Sequence, residues 1–347
     1  MIILFDHPEP ALLVHGGMLT IIRQTKAALE ALGCQVDYLR WWDETQRADI
    51  LHYFGRMPPY LLRVAQAKGI KVVLGELLAV QGSRPEWQLW CQRQTTRLLR
   101  TFMPVQFTAA FRWESPRLAD AHMACTPWEA HLLHYLFGAP KERIHVIPNG
   151  VESAFLQSTP AARGQWLICT ATITERKRVV ELAEAAVQAR TPLWIVGKAY
   201  SDSDAYARQF FELVRAHPQI LRFEGPIADR LKLAQAYRES RGFVLLSSSE
   251  SLSLSALEAA ACECPLLLAD LPWAKTVFKQ HASYCPITNS THLTAQVLRR
   301  FYEAAPQLPA PPKPPSWIDV AKQVKAVYEM LLKDARQAGR MTGGQHA

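Results

Sequence analysis

The stretch Phe243–Pro265, FVLLSSSESLSLSALEAAACECP, decides how the rest of the chain is read. Its four opening apolar residues, Phe243 to Leu246, are long enough for a buried parallel strand. A serine-rich turn follows, then an alanine-rich helical run, Ala256 to Ala261, before Pro265 restarts an apolar strand over Leu266 to Ala269. The pattern puts Glu250 in the loop at the C-terminal edge of a strand and Glu258 in the first turn of the next helix. In open α/β sheets ligands bind in that crevice, and a helix N-terminus offers free N–H groups to a phosphate. Two carboxylates beside it can accept hydrogen bonds from sugar hydroxyls while the amides take the anion. The same letters permit a plainer reading, with Ser255-x-x-Glu258 a capping box and Glu250 a solvated loop residue. Taken alone, these residues leave both readings open.

Outward from this stretch, strand and helix alternate along the chain, the signature of a doubly wound parallel sheet. Strands are expected at Met1 to Phe5, Val36 to Leu39, Ile50 to Phe54, Ile70 to Leu74, Ala119 to Ala124 and Arg143 to Ile147. His15-Gly16-Gly17 precedes a helical run, Thr20 to Leu32, that Gly33 closes. Strand–Gly-Gly–helix lets a backbone approach a ligand closely, though it is not a G-x-G-x-x-G fingerprint. Thr126-Pro127 starts another helix, with proline at its first position. Residues 153–165 have the composition of a linker, after which alternation resumes from Trp166. Six of the ten residues from Pro306 to Pro315 are proline, a stiff crossing segment, and a helix from Trp317 to Ala335 ends the fold. The closing GRMTGGQHA reads as a frayed tail.

Composition narrows the classes. A chain of 347 residues suggests two domains. No apolar run approaches a membrane span, and MIILFDHPEP lacks the basic start and long apolar core of a signal peptide. Seven cysteines without a C-x-x-C pair, several in apolar segments (Cys34, Cys169, Cys262), read as reduced thiols of a cytoplasmic protein. There is no spaced Cys/His cluster for zinc and no G-x-S-x-G nucleophile. The net charge of +8 fits an anionic partner; nucleic acid is not expected, since nothing but charge argues for it. Residues 84–117 carry six arginines (84, 93, 97, 100, 112, 117) interleaved with Trp87, Trp90, Phe102, Phe107, Phe111 and Trp113. Arg93, Arg97 and Arg100 fall on one helical face. That face suits peripheral contact with an anionic membrane or grip on an anionic acceptor; a core helix with a solvated basic side is the alternative.

His145-Val-Ile-Pro-Asn-Gly-Val151, followed by Glu250-x7-Glu258, gives the chain the look of a retaining glycosyltransferase of family 4. The likeness is spread over most of the chain: the Gly16-Gly17 loop, the Ala-Asp-Ile-Leu-His pattern ending at His52, the Pro-Asn-Gly-Val segment, the region of Lys177 and the helix at Trp317 fall in the family's order. The resemblance implies the α/β GT-B fold, two Rossmann-like domains facing each other across a cleft. Residues 1–155 would form an acceptor domain completed by 318–340, and 156–317 the nucleotide-sugar donor domain. It implies transfer of a sugar from a nucleoside-diphosphate sugar, a co-substrate rather than a resident cofactor, to an acceptor hydroxyl of unknown kind. No metal would be needed, and the anomeric configuration would be retained.

Carried over position by position, Glu250 matches the glutamate that holds the donor sugar's hydroxyls. Glu258 matches the one that holds the ribose, and Lys177 the lysine facing the diphosphate. Glu250 and Lys177 are thus the expected catalytic pair. Gly16, Gly17, Ser251, Leu252, Ser253, Arg176, Lys198, Gly225 and Pro226 join Glu258 in donor binding. A fixed ammonium and a helix N-terminus stabilise the charge that grows on a departing diphosphate. The chain also departs from the family. Ala171-Thr172 stands where Gly-Arg is usual before the lysine, leaving Arg176, Arg178 or Lys198 to supply the missing cation. Ser251-Leu252-Ser253 replaces Gly-Phe-Gly. The acceptor-side histidine has no clear counterpart; Gly75-Glu76 stands near its place, so Glu76, His52 and His122 are the acceptor-side candidates. Two rivals fit the same fold: a sugar-nucleotide epimerase or hydrolase, and a non-catalytic sugar-nucleotide-binding partner protein.

Overall fold

Apolar runs of three to five residues, too short for helices and broken by turns, form the strands of two parallel sheets. The structure is a computed structural model and describes residues 1–8, 16–104, 107, 111–157, 161–201 and 204–343. The chain divides into two units, Met1–Asn149 with Trp317–Ala347, and Gly150–Ser316. His15 lies outside the described residues, as do 344–347 of the tail.

The first unit runs β1 (Ile2–Asp6), α1 (Gly17–Ala31), β2 (Gln35–Tyr38), β3 (Ile50–Tyr53), α2 (Pro59–Ala67), β4 (Lys71–Leu74), α3 (Ala79–Gly82), α4 (Glu86–Phe102), α5 (Ser115–Leu118), β5 (Ala121–Ala124), α6 (Pro127–Phe137) and β6 (Ile144–Val146). Its strands lie in the order β2-β1-β3-β4-β5-β6. The second unit runs α7 (Ser153–Leu156), β7 (Leu167–Thr170), α8 (Val179–Ala189), β8 (Leu193–Val196), α9 (Ala205–Ala216), β9 (Leu221–Phe223), α10 (Arg230–Glu239), β10 (Gly242–Leu245), α11 (Leu254–Ala261), β11 (Leu266–Ala269), α12 (Pro272–Phe278), β12 (Ser283–Cys285) and α13 (Thr291–Ala304). Its order, β12-β11-β10-β7-β8-β9, is the Rossmann arrangement. The topological switch point of that sheet falls between β7 and β10, which pair directly.

The central strands β3, β5, β10 and β11 are buried along their whole length, as expected where helices cover both faces of a parallel sheet. In the second unit Phe210, Leu182, Leu193, Val244 and Leu298 share one core. Each such side chain contributes about 2 kcal/mol by leaving water. The final helix α14 (Trp317–Gly343) belongs to the first unit. It packs on α1, with Lys325 Nζ donating to the Leu32 carbonyl at 3.0 Å, and it buries Val320, Val324 and Tyr328.

Several local expectations are corrected. Ser253, not Ser255, is the N-cap of α11: its Oγ accepts from the Ala256 amide at 3.4 Å. Glu258 therefore sits in the second turn, too far along to close a capping box, and its carboxylate is used elsewhere. The helix starts at Leu254, two residues earlier than the alanine run implies, because the Ser253 side chain is the one that caps it. Within residues 84–117 the expected helical face lies on the 17-residue helix α4. The expected linker at 153–165 contains α7, whose Phe155 is fully buried; residues 158–160 lie outside the described set. In the proline-rich segment, Pro311 and Pro314 are buried rather than merely crossing.

Candidate active site

The loops leaving β7 and β10 meet at the switch point, the first bringing two cations and the second a carboxylate. After β7, a 3-10 turn at Glu175–Lys177 aims Lys177 inward. After β10, the Ser247–Ser253 loop carries Glu250. The two loops are laced by backbone, since the Ser248 amide donates to the Arg176 carbonyl at 2.8 Å. Lys177 Nζ donates to Glu250 Oε1, and Arg176 Nη1 reaches the same oxygen at 3.0 Å and the Ser249 carbonyl at 2.8 Å. Burial alone would raise the Glu250 carboxyl. The Lys177 ammonium and Arg176 guanidinium outweigh it and hold the group below its ordinary value, so it is an anion at neutral pH. The N-terminus of α11 opens three residues further on, with first-turn amides that no helical carbonyl can satisfy.

Glu258 is the centre of a second cluster. Arg230, the first residue of α10, donates through Nη2 to Glu258 Oε1, and its Nε lies 2.8 Å from Glu152 Oε1. The Tyr237 hydroxyl donates to Glu258 Oε2 at 3.2 Å and shares a 2.6 Å hydrogen bond with Thr170 Oγ1. Burial raises the Glu258 carboxyl, and Arg230 opposes the rise without cancelling it. Sequence reasoning missed Arg230, Tyr237 and Glu152. Their separations from Glu258 follow no local period, so only the sheet order brings them together.

The remaining donor-side candidates are dispersed. Lys198 is exposed on the loop after β8. Arg178, a candidate for the missing phosphate cation, is buried with φ 53° and donates to the Thr288 carbonyl instead, neither solvated nor free for a ligand. Gly225, φ 80°, accepts from the Gly197 amide at 3.2 Å, and Pro226 follows in the same loop. Gly197 was not singled out by sequence, yet a Cβ there would sit 1.8 Å from the Ala171 carbonyl oxygen. Only glycine lets these two loops close so tightly. Ser251 and Leu252 are buried beside the Ser253 cap. Gly16 and Gly17 open α1 in the first unit; Gly16, φ 145°, is its N-cap.

Of the acceptor-side candidates, Glu76 is gripped by Arg56, whose Nε donates at 2.9 Å. His122 Nε2 bonds the Pro116 carbonyl at 2.8 Å, and burial pushes its pKa down to about 4. His52 shares a 2.6 Å hydrogen bond with the Tyr328 hydroxyl through Nδ1, and burial pushes it down to about 3. His52 Nε2 has no partner and lies 2.8 Å from where a Cβ on Gly75 would stand. It lines a cavity of about 40 Å³ at the C-terminal ends of the first sheet, with Cys125, Asn149 and Trp317. Asn149 Nδ2 is also unpaired. That volume exceeds what one water needs.

The two histidines carry a stability prediction. Both stay neutral in the folded chain while the unfolded chain binds a proton near pH 6.5. Below that pH the unfolded state holds more protons, so stability falls as pH drops from 6.5 toward 4 and is flat just above 6.5. Thermal melting across this range checks it. The His122→Gln variant, which keeps a donor for Pro116 but does not titrate, is expected to show a shallower decline than the wild type.

Among the described residues no group of three or more His, Cys, Asp and Glu is placed to hold a metal ion. No helix among them is long and apolar enough to cross a membrane.

The family model Glycosyltransferase Family 4 matches residues 21–155, and Glycosyl transferases group 1 matches 164–302. The chain belongs to the family 4, group 1 type of GT-B glycosyltransferases. A D-inositol 3-phosphate glycosyltransferase of Jonesia denitrificans is 30% identical over 179 residues, 44% of this chain and 41% of that protein. The serotype-specific mannosyltransferase WbdA of Escherichia coli is 34% identical over 95 residues, 26% of this chain and 11% of its own length. The chain thus spans about two fifths of the first of these curated relatives and about a tenth of the second. Anabaena Alr3699/HepE in complex with UDP superposes with a TM-score of 0.63 at 13% identity, covering 99% of this chain and all of that one. The sucrose-phosphate synthase of Thermosynechococcus elongatus does so at 0.66 and 17% identity, covering 96% and 99%. Those structural likenesses bear on the family's fold. The first model covers most of the first unit and ends at residue 155, just inside the second, and the second model lies wholly within the second unit.

Proposed function

We propose that the chain is a retaining, metal-independent glycosyltransferase that moves a sugar from a nucleoside-diphosphate sugar to an acceptor hydroxyl. The observation that carries this reading is the Lys177–Glu250 pair at the switch point of the second sheet. A half-buried ammonium and an ionised carboxylate sit there beside the N-terminus of α11. In this reading the second unit holds the donor and the first the acceptor. Lysine has three N–H donors, so one can stay on Glu250 while the others take phosphate oxygens. Glu250 keeps an oxygen for sugar hydroxyls, and Glu258 has lone pairs left for the ribose after Arg230 and Tyr237 are satisfied.

As the anomeric C–O bond breaks, its electron pair goes to the phosphate oxygen, and Lys177, Arg176 and the α11 amides stabilise the charge that develops there. The sugar becomes oxocarbenium-like, and the Glu250 carboxylate favours its positive charge. The acceptor oxygen bonds the anomeric carbon on the face the nucleotide leaves, and its proton passes to the departing phosphate oxygen. Configuration is then retained. On the acceptor side the cavity bearing His52 Nε2 and Asn149 Nδ2 offers polar atoms without partners, while Glu76 and His122 already have theirs. The seven unpaired thiols fit a reducing, cytoplasmic setting.

A thermal-shift panel of nucleoside diphosphates and their sugars tests the donor assignment. Solved structures of HepE hold UDP and UDP-glucose, which makes uridine the first arm. At about a hundredfold over its dissociation constant a ligand adds roughly 2.7 kcal/mol, which is expected to raise the melting temperature by about 5 °C or more. If no nucleoside diphosphate or sugar nucleotide stabilises the protein, the donor site is not where this reading puts it.

A further inference from the structure

On most surface helices the apolar stripe faces the core and the polar face meets water. The outer face of α4 reverses this. Its buried side is Leu89 and Thr96, whereas Trp87, Trp90, Leu98 and Phe102 point to solvent, 65%, 55%, 58% and 79% exposed. At 3.6 residues per turn these four fall within about 120° of one another, and the smaller Cys91, Gln94 and Thr101 share that arc of the 17-residue helix. Phe107, 62% exposed, lies just beyond the helix end.

The arginines of α4 do not all belong to that face. Arg93 stacks on the Tyr135 ring at 4.3 Å, and Arg100 is fastened to Glu114 and to the Phe137 carbonyl. Both hold α4 to the first unit. Arg97 is exposed at the edge of the stripe, next to Trp90, and Glu86 at the N-terminus is the helix's lone acid.

We propose that α4 is an in-plane membrane-binding helix, which seats Trp87, Trp90, Leu98 and Phe102 in the headgroup boundary of an anionic bilayer with Arg97 against the lipid phosphates. Indole rings settle at that boundary because one side is apolar and the N–H stays wet. The basic edge and the net charge of +8 draw the face to a negative surface. A second copy of the chain would bring the same arginine and the same net charge, so charge favours lipid over self-association. The inner contacts of Arg93 and Arg100 leave the stripe already presented, and binding needs no refolding. This surface is independent of the donor site.

Co-sedimentation of the full chain with phosphatidylcholine vesicles, with and without phosphatidylglycerol, tests it. The wild type is expected to pellet with the anionic vesicles, less with the neutral ones, and less again in high salt, which screens the attraction. The double variant Trp87→Ser, Trp90→Ser is expected to lower partitioning at least tenfold with an unchanged melting temperature, since both side chains are exposed. Arg97→Gln is expected to lower it about fivefold, the effect of one basic residue at an anionic surface. A wild type that ignores anionic vesicles overturns the proposal. So does a concentration-dependent dimer in light scattering that the two serines dissolve, which would make a second copy the occupant.

Discussion

Replacing Glu250 with glutamine removes most sugar transfer, by about a hundredfold or more, while the fold and the affinity for a free nucleoside diphosphate persist. Glutamine keeps the shape of the side chain and its capacity to accept one hydrogen bond, but loses the negative charge facing the sugar. That charge matters most in the transition state, when the anomeric carbon turns positive. The substitution also frees the Lys177 ammonium and the Arg176 guanidinium from their shared carboxylate. Affinity for the diphosphate alone is therefore expected to be unchanged or higher, not lower. Isothermal titration with the free diphosphate, a product assay at saturating donor, and a melting curve separate the three quantities. Normal turnover by this variant would remove Glu250 from the chemistry.

Lys177→Ala gives the complementary result. The ammonium acts mainly on charge that grows as the diphosphate leaves, so the maximal rate is expected to fall about a hundredfold or more, the scale for one preorganised donor, and donor affinity by less. In a protein that only binds sugar nucleotides the same ammonium neutralises charge already present, and the loss would appear in affinity alone. Equal losses in rate and affinity would weaken the leaving-group role. A wild type that binds a donor tightly but neither transfers nor hydrolyses it would make the chain a binding module. The alanine variant also leaves Glu250 with Arg176 as its remaining cation. Its carboxyl is then expected to titrate higher than in the wild type, because the ammonium that offset its burial is gone.

Both predictions rest on two loops that meet at the switch point, and that meeting was only partly legible beforehand. The apolar runs at Phe243–Leu246 and Leu266–Ala269 are strands in any reading, since no helix fits them between a serine turn and a proline. The alternation of such runs with helical stretches defines an α/β chain, and Glu250-x7-Glu258 with Pro-Asn-Gly-Val singles out the family. Arg93, Arg97 and Arg100 show what periodicity alone misses. One helical face was right as geometry, yet Arg93 and Arg100 turn inward to Tyr135 and Glu114, and the stripe left outside is apolar.

What the sequence by itself determined is local: which stretches are strands and which helices, which loops follow strand ends, and which letters in those loops carry charge. Each depends on residues within a turn or two of one another, where steric preference and hydrophobic period act directly. What only the tertiary structure decided is who partners whom. Glu258 is held by Arg230 and Tyr237, whose own neighbours are Glu152 and Thr170. Arg178 is spent on Thr288, Glu76 on Arg56, and His52 on Tyr328 of the last helix. Those pairings are set by strand order, because two loops become neighbours only when β10 crosses over to lie beside β7. A carboxylate's partner is thus chosen by topology and by the cost of leaving a buried charge alone, and neither is written in the residues beside it.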